Sequence, residues 1–158
     1  MVREEYPRPQ LVRENYTCLN GVWQFALDNG RSGIERRLYE KDEKLSGEIL
    51  VPFCPQSQLS RVAHTDFILG CVYKTTFTLP EKRQGERTVL HFGAVDYHCN
   101  VYVNDVCVGS HSGGYTSFEF DITDAVFSGD NTVTVFVEDD EKNTPVPRGK
   151  QSDAFESY

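Results

Sequence analysis

Long apolar runs, basic clusters and paired cysteines are all missing from this chain of 158 residues. No stretch reaches the ~20 apolar residues that span a bilayer, so the sequence offers no membrane helix. The amino terminus, MVREEYPRPQ, carries two glutamates where a secretory leader would be basic and then apolar, and a cytoplasmic location is expected. Basic residues number 16 against 24 acidic ones, a formal charge of −8, and no basic cluster exceeds Arg36-Arg37 and the mixed stretch 81–87. A surface of that sign repels phosphate backbones, which sets nucleic acid aside as a partner. The five cysteines, Cys18, Cys54, Cys71, Cys99 and Cys107, are odd in number and irregularly spaced, with no CxxC pair. Free, buried thiols are therefore expected rather than disulfides. The sequon Asn15-Tyr16-Thr17 has no export signal to give it meaning.

Tryptophan and methionine occur once each, but ten Phe and eight Tyr accompany many valines, a composition that favours sheet over helix. A chain of this length buries roughly 70% of its unfolded surface as one domain without staples. After a lead-in with Pro7 and Pro9, the turn Asn20-Gly21 opens a strand over 22–27. The charged stretch 28–48 reads as a solvated connection holding one short helix near 34–45. A short strand, 49–51, is ended by Pro52. Residues 53–70 show no period and read as an irregular crossing between sheets. Strand 73–79 alternates Tyr73, Thr75 and Phe77 with Lys74, Thr76 and Thr78, and a charged loop leads to strand 88–92, expected as its antiparallel partner.

Beyond it lies HFGAVDYHCNVYVNDVCVGSHSGGYTSFEFD, from His91 to Asp121. Cys99, Val101 and Val103 point one way and Asn100 and Tyr102 the other; Val106 and Val108 repeat the alternation after the Asn104-Asp105 turn. Gly113-Gly114-Tyr115 turns into a strand at Phe118 and Phe120, and Asp121 caps a helical turn over 122–127. Val133, Val135 and Val137 share one face of a last strand. Trp23 is expected in the core, and so are Tyr97, Tyr102 and Tyr115. About eight short strands with little helix argue an all-β, two-sheet antiparallel β-sandwich, with jelly roll and immunoglobulin-like topologies both open.

Chemistry is hard to find. Gly109-Ser110-His111-Ser112-Gly113 has His where a nucleophile elbow needs Ser, and no helix follows it. His98 precedes Cys99, so on a strand the two side chains face opposite sides of the sheet. The four histidines, His64, His91, His98 and His111, are scattered singly, which argues against zinc. Asp121, Asp124, Asp130, Asp139 and Asp140 lack EF-hand spacing, and loop and cap roles account for them without calcium. The run Glu138-Asp139-Asp140-Glu141 reads as a solvated charge run rather than half of a buried carboxylate pair. No catalytic residue, metal ligand or cofactor site is expected.

Four motifs stand in a telling order: Asn20-Gly21-Val22-Trp23; Val51-Pro52-Phe53-Cys54-Pro55; the stretch from His91 to Asp121; and Pro147-Arg148-Gly149-Lys150-Gln151. Through them the chain resembles, along nearly its whole length, the N-terminal sugar-binding-like domain of glycoside hydrolase family 2, the β-galactosidase and β-glucuronidase family. The resemblance implies a galactose-binding-like jelly roll over 1–158, with an extended lead-in at 1–20 and a loop or tail at 138–158. It also implies a parent that hydrolyses β-galactosides or β-glucuronides with retention, from glutamates in a later barrel, this chain contributing none. A downstream sandwich and barrel are the implied partners. The loop 138–158 would run toward the barrel's mouth, where Arg148, Lys150 and Gln151 can donate to sugar hydroxyls or to a neighbouring domain and Tyr158 can stack on a sugar ring. The family's next strand is not reached by Tyr158, so an open sheet edge, and with it an edge-to-edge homodimer, is expected. A free-standing carbohydrate-binding module and a β-sandwich protein-interaction domain are the alternatives; a free module would expose two or three aromatics.

Overall fold

A computed structural model describes residues 15–81 and 85–140. Eight strands follow in order: β1 (Gly21–Leu27), β2 (Gly47–Val51), β3 (Gly70–Leu79), β4 (Val89–Phe92), β5 (His98–Val103), β6 (Val106–Ser112), β7 (Phe118–Asp121) and β8 (Gly129–Glu138). They form a six-stranded sheet, β2-β1-β3-β8-β5-β6, and a two-stranded sheet, β4-β7, with every pairing antiparallel. The expected all-β sandwich is what the chain forms. Between the sheets Cys99, Val101, Val103 and Val133 are fully buried, joined by Trp23, Phe25, Ile49, Val135 and Ile122. Trp23 sits in this core as its alternation predicts, its indole N–H donating to the Leu19 carbonyl at 2.7 Å.

Period-2 alternation explains the inner face but not the outer one. Thr132, Thr134 and Phe136 on β8, and Val72 and Lys74 on β3, are buried as well, so the middle of the large sheet is covered on both sides. The cover is the stretch after β1, read from sequence as solvated: Leu38 packs with Val72 and Phe136, flanked by Ile34, Tyr39 and Leu45. Tyr39 stacks on Tyr102 at 4.5 Å between centroids. This stretch is not the expected helix. Its bonds alternate between three-, four- and five-residue closures, as in Arg37 N to Ile34 O, Arg36 N to Ser32 O and Leu38 N to Gly33 O, and give a run of turns. Asp28 sets the first of them, its buried carboxylate accepting from Gly33 N at 2.7 Å and Ser32 N at 3.2 Å.

Two expected connections differ. Strands β3 and β4 do not pair; β3 lies between β1 and β8, and β4 pairs with β7, so the loop between them carries the chain from one sheet to the other. The stretch 53–70, expected to change sheets, starts and ends in the same one, passing from β2 over β1 to β3. Only a single turn, Ala125 N to Ile122 O, follows β7, and Asp121 caps it by accepting from Thr123 N at 3.0 Å. On β6 the register slips between Val101 and Tyr102, leaving Val108 as the extra residue of a bulge while Val106, just past the turn on an edge strand, is exposed. Of the five cysteines, Cys71 and Cys99 are buried, Cys18 is half-buried, and Cys54 and Cys107 are exposed, against the expectation of burial throughout.

Candidate functional site

Strand register fixes which loops share an end of the sandwich. Gly70 pairs with Glu138, Glu138 with His98, and His98 with Ser112, so the chain leaves β8 beside the loops 93–97 and 113–117 and the start of the 28–46 cover. Backbone bonds lace these segments together: Tyr97 N to Glu138 O at 3.3 Å, Gly113 N to Tyr97 O at 2.9 Å, Asp139 N to Leu69 O at 3.2 Å and Asp28 N to Gly70 O at 2.8 Å.

Arg31 pairs with two of the carboxylates at this end. Arg31 reaches Asp140 at 3.0 Å and Glu138 at 3.8 Å. All three side chains are a third or more exposed, so each pair is worth only a few tenths of a kcal/mol and orients rather than stabilises. A pocket of about 10 Å³ lies behind them, lined among others by Asp28, Ile34, Cys71 and Phe136, with room for one water. Burial pushes the Cys71 thiol up to about 12, so no thiolate forms there at neutral pH. His98 turns away from the core, its Nδ1 2.8 Å from Ser112 Oγ and its Nε2 3.4 Å from Asn100 Nδ2, while Cys99 is fully buried. His111 stacks on Phe118 at 4.0 Å.

The acidic residues weighed for calcium are dispersed. Asp121 binds Arg87 and Thr123, and Asp130 accepts from Thr78 Oγ1 at 2.7 Å, both at the end opposite Asp139 and Asp140. Among the described residues no three of His, Cys, Asp or Glu cluster as metal ligands would. Arg148, Lys150, Gln151 and Tyr158 lie outside the described residues, as does nearly all of the loop expected to carry them. The point at which that loop departs does fall on this end.

Residues 16–146 match the family described as "Glycosyl hydrolases family 2, sugar binding domain". The chain belongs to this family. Its sugar-binding domain is 33% identical over 133 residues to a β-glucuronidase of Paenibacillus borealis, covering 84% of this chain and 22% of that protein. It is 36% identical over 133 residues to the β-glucuronidase of Felis catus, covering 78% and 20% respectively. Among solved structures, the β-glucuronidase of Bifidobacterium dentium complexed with coumarin-3-O-glucuronide superposes with a TM-score of 0.65 at 29% identity, over 76% of this chain and 19% of that one. The family 2 domain thus spans about a fifth of the length of these relatives.

Several residues at this end escaped the sequence reading. Arg31 and Asp28 lie in a stretch whose charge alone suggested solvent, although Asp28-Asn29-Gly30 is a turn signal that could have flagged a fixed bend. Tyr115, expected in the core, is 73% exposed, whereas Tyr97 and Tyr102 are half-buried. The two glycines before Tyr115 mark a turn, and a turn residue has no strand phase to place it.

Proposed function

We propose that this domain is the non-catalytic N-terminal part of a cytoplasmic, retaining β-glycosidase acting on β-glucuronides, with β-galactosides the alternative substrate class. A retaining enzyme needs two carboxyl groups about 5 Å apart, one protonated and one ionised. Three of the described carboxylates near the chain's exit serve other ends: Asp28 holds a turn, and Glu138 and Asp140 face Arg31. The observation that carries the reading is the similarity to β-glucuronidases confined to about a fifth of their length, which leaves the rest of such an enzyme to supply the reacting pair. The domain's role is to buttress a following sandwich and barrel. In this reading Arg148, Lys150, Gln151 and Tyr158, in the sequence that follows β8, serve to contact sugar or the neighbouring domain. The edge strands of the large sheet, β2 and β6, are where copies would pair edge to edge.

The test is an assay of the purified chain and of the full-length gene product on 4-nitrophenyl β-D-glucuronide and β-D-galactoside. The chain should be inert and the full-length protein active with retention of anomeric configuration. Turnover by the chain alone would sink the reading, and micromolar glycoside binding by it in calorimetry would favour a free-standing carbohydrate-binding module.

A further inference from the structure

Tyr115 is the most exposed of the large hydrophobic side chains among the described residues, and the turn that presents it is held from several directions. Gly113 N donates to the Tyr97 carbonyl at 2.9 Å. His111 Nε2 lies 3.2 Å from the Gly113 carbonyl and 3.4 Å from Thr116 Oγ1, with the ring stacked on Phe118 just past the turn. Gly114 is packed so closely on loop 93–97 that a Cβ there would run into the Asp96 carboxylate. A fixed turn thus carries an aromatic ring that leaves most of its surface in water. An ordered aromatic displayed this way loses little entropy when another surface takes it up, which is the physical profile of an interface hot spot.

We propose that Tyr115 anchors this domain on the polypeptide that follows it in the full-length enzyme, a claim that rests on the proposed function above. Position favours that occupant. The chain leaves β8 at Glu138, whose carbonyl is bonded to Tyr97 N, and Tyr97 O in turn holds Gly113, so Tyr115 and the outgoing chain share one end of the sandwich. A domain tethered there meets Tyr115 at high effective concentration. Small sugars are enclosed by concave sites, and Tyr115 lines neither the small pocket behind Arg31 nor the open groove of about 340 Å³ formed by residues 17–22 and 75–78. That groove lies at the opposite end, where β1 starts and β3 finishes.

The experiment compares Tyr115→Ala, Tyr115→Phe and, at the far end, the control Val106→Ala in the full-length enzyme. The readouts are the rate of limited trypsin cleavage at the junction after residue 140 and the KM for 4-nitrophenyl β-D-glucuronide; thermal midpoints are measured on the 158-residue chain. Tyr115→Ala should speed junction cleavage about tenfold or more, the size expected for loss of an aromatic anchor. Tyr115→Phe should restore slow cleavage, Val106→Ala should change nothing, and the midpoint of the chain alone should not move. Unchanged cleavage in Tyr115→Ala overturns the anchor while leaving the domain's assignment intact. An equal loss of midpoint in the chain alone overturns it in favour of a local folding role. A raised KM with unchanged cleavage overturns it in favour of a sugar platform. A gene product with no domain after this one overturns both readings.

Discussion

The side-chain amide of Asn104 donates to the side-chain oxygen of Asn131 across 2.6 Å, joining the β5–β6 turn to the start of β8. Both N–H donors of each amide are used, and Asn131 is saturated as an acceptor as well. Asn104 also donates to Ala125 O and accepts from Thr132 N, while Asn131 donates to Phe127 O and Gly129 O and accepts from Phe127 N. Asn131 is fully buried, so removing it strands several backbone groups away from water. Asn131→Ala should cost about 2–4 kcal/mol in urea denaturation, and Asn131→Asp should not rescue it, because a carboxylate cannot supply the two donated bonds.

Lys74 is a second polar group in an apolar setting, only 1% exposed, with Nζ donating to Glu40 O at 2.8 Å and Glu43 O at 2.7 Å. Burial lowers its pKa, opposed by the charges of Glu43, Asp105 and Glu40. It pins the 28–46 cover to the sheet. Lys74→Met fills the same volume but leaves both carbonyls undonated, and should cost about 1–3 kcal/mol together with faster hydrogen exchange confined to the cover. A global loss of protection without preference for the cover would refute this pinning role.

The thiols predict the alkaline behaviour. Burial raises Cys71 to about 12 and Cys99 to about 11, both from 9.0. In the unfolded chain they ionise near 9 and in the folded chain they stay protonated, so the folded state binds more protons between those limits. Their contribution is complete below pH 9 and falls as pH rises toward 11–12, each by up to about 1.4 kcal/mol per pH unit. A Cys71→Ala/Cys99→Ala variant should show a shallower loss of stability from pH 9 to 11 than the parent chain.

Thiol labelling gives an independent check at neutral pH. Exposed Cys54 and Cys107 should react with Ellman's reagent within the mixing phase, and buried Cys71 and Cys99 only as the chain unfolds. Mass spectrometry of the labelled sites reads the order directly, and early modification of Cys99 would contradict the core as described.

Gly109 faces Val101 across the bulge, with φ of +157° and the Phe120 ring of the other sheet lying over it. A methyl group there must displace that ring. Gly109→Ala should cost about 1–3 kcal/mol, and trimming the ring with Phe120→Leu in the same chain should recover part of it if the clash is the cause.

What sequence could reveal followed from what each residue answers to. Cys99, Val101, Val103, Val133, Val135 and Val137 obey a period set by the strand itself, so the inner face was readable without a partner in view. Thr132, Thr134 and Phe136 alternate just as regularly, but their burial depends on a distant covering stretch whose Glu and Lys residues point outward while Leu38 and Ile34 point in. Strand pairing failed where neighbours in sequence were assumed to be neighbours in space, since β3 takes β8 and not β4. The site was expected on the loop after β8, nearly all of which lies outside the described residues; Arg31 meets the start of that loop from 109 residues away and leaves no local pattern.

The wrapping of the broad sheet by the 28–46 stretch limits how this domain can be held. With one face turned to the core and much of the other roofed by its own backbone, the sheet has little flat expanse to lend a neighbour. Contact with a larger body is left to the rims and tips, so the domain would work as a peg gripped at one end rather than as a plate pressed against a wall.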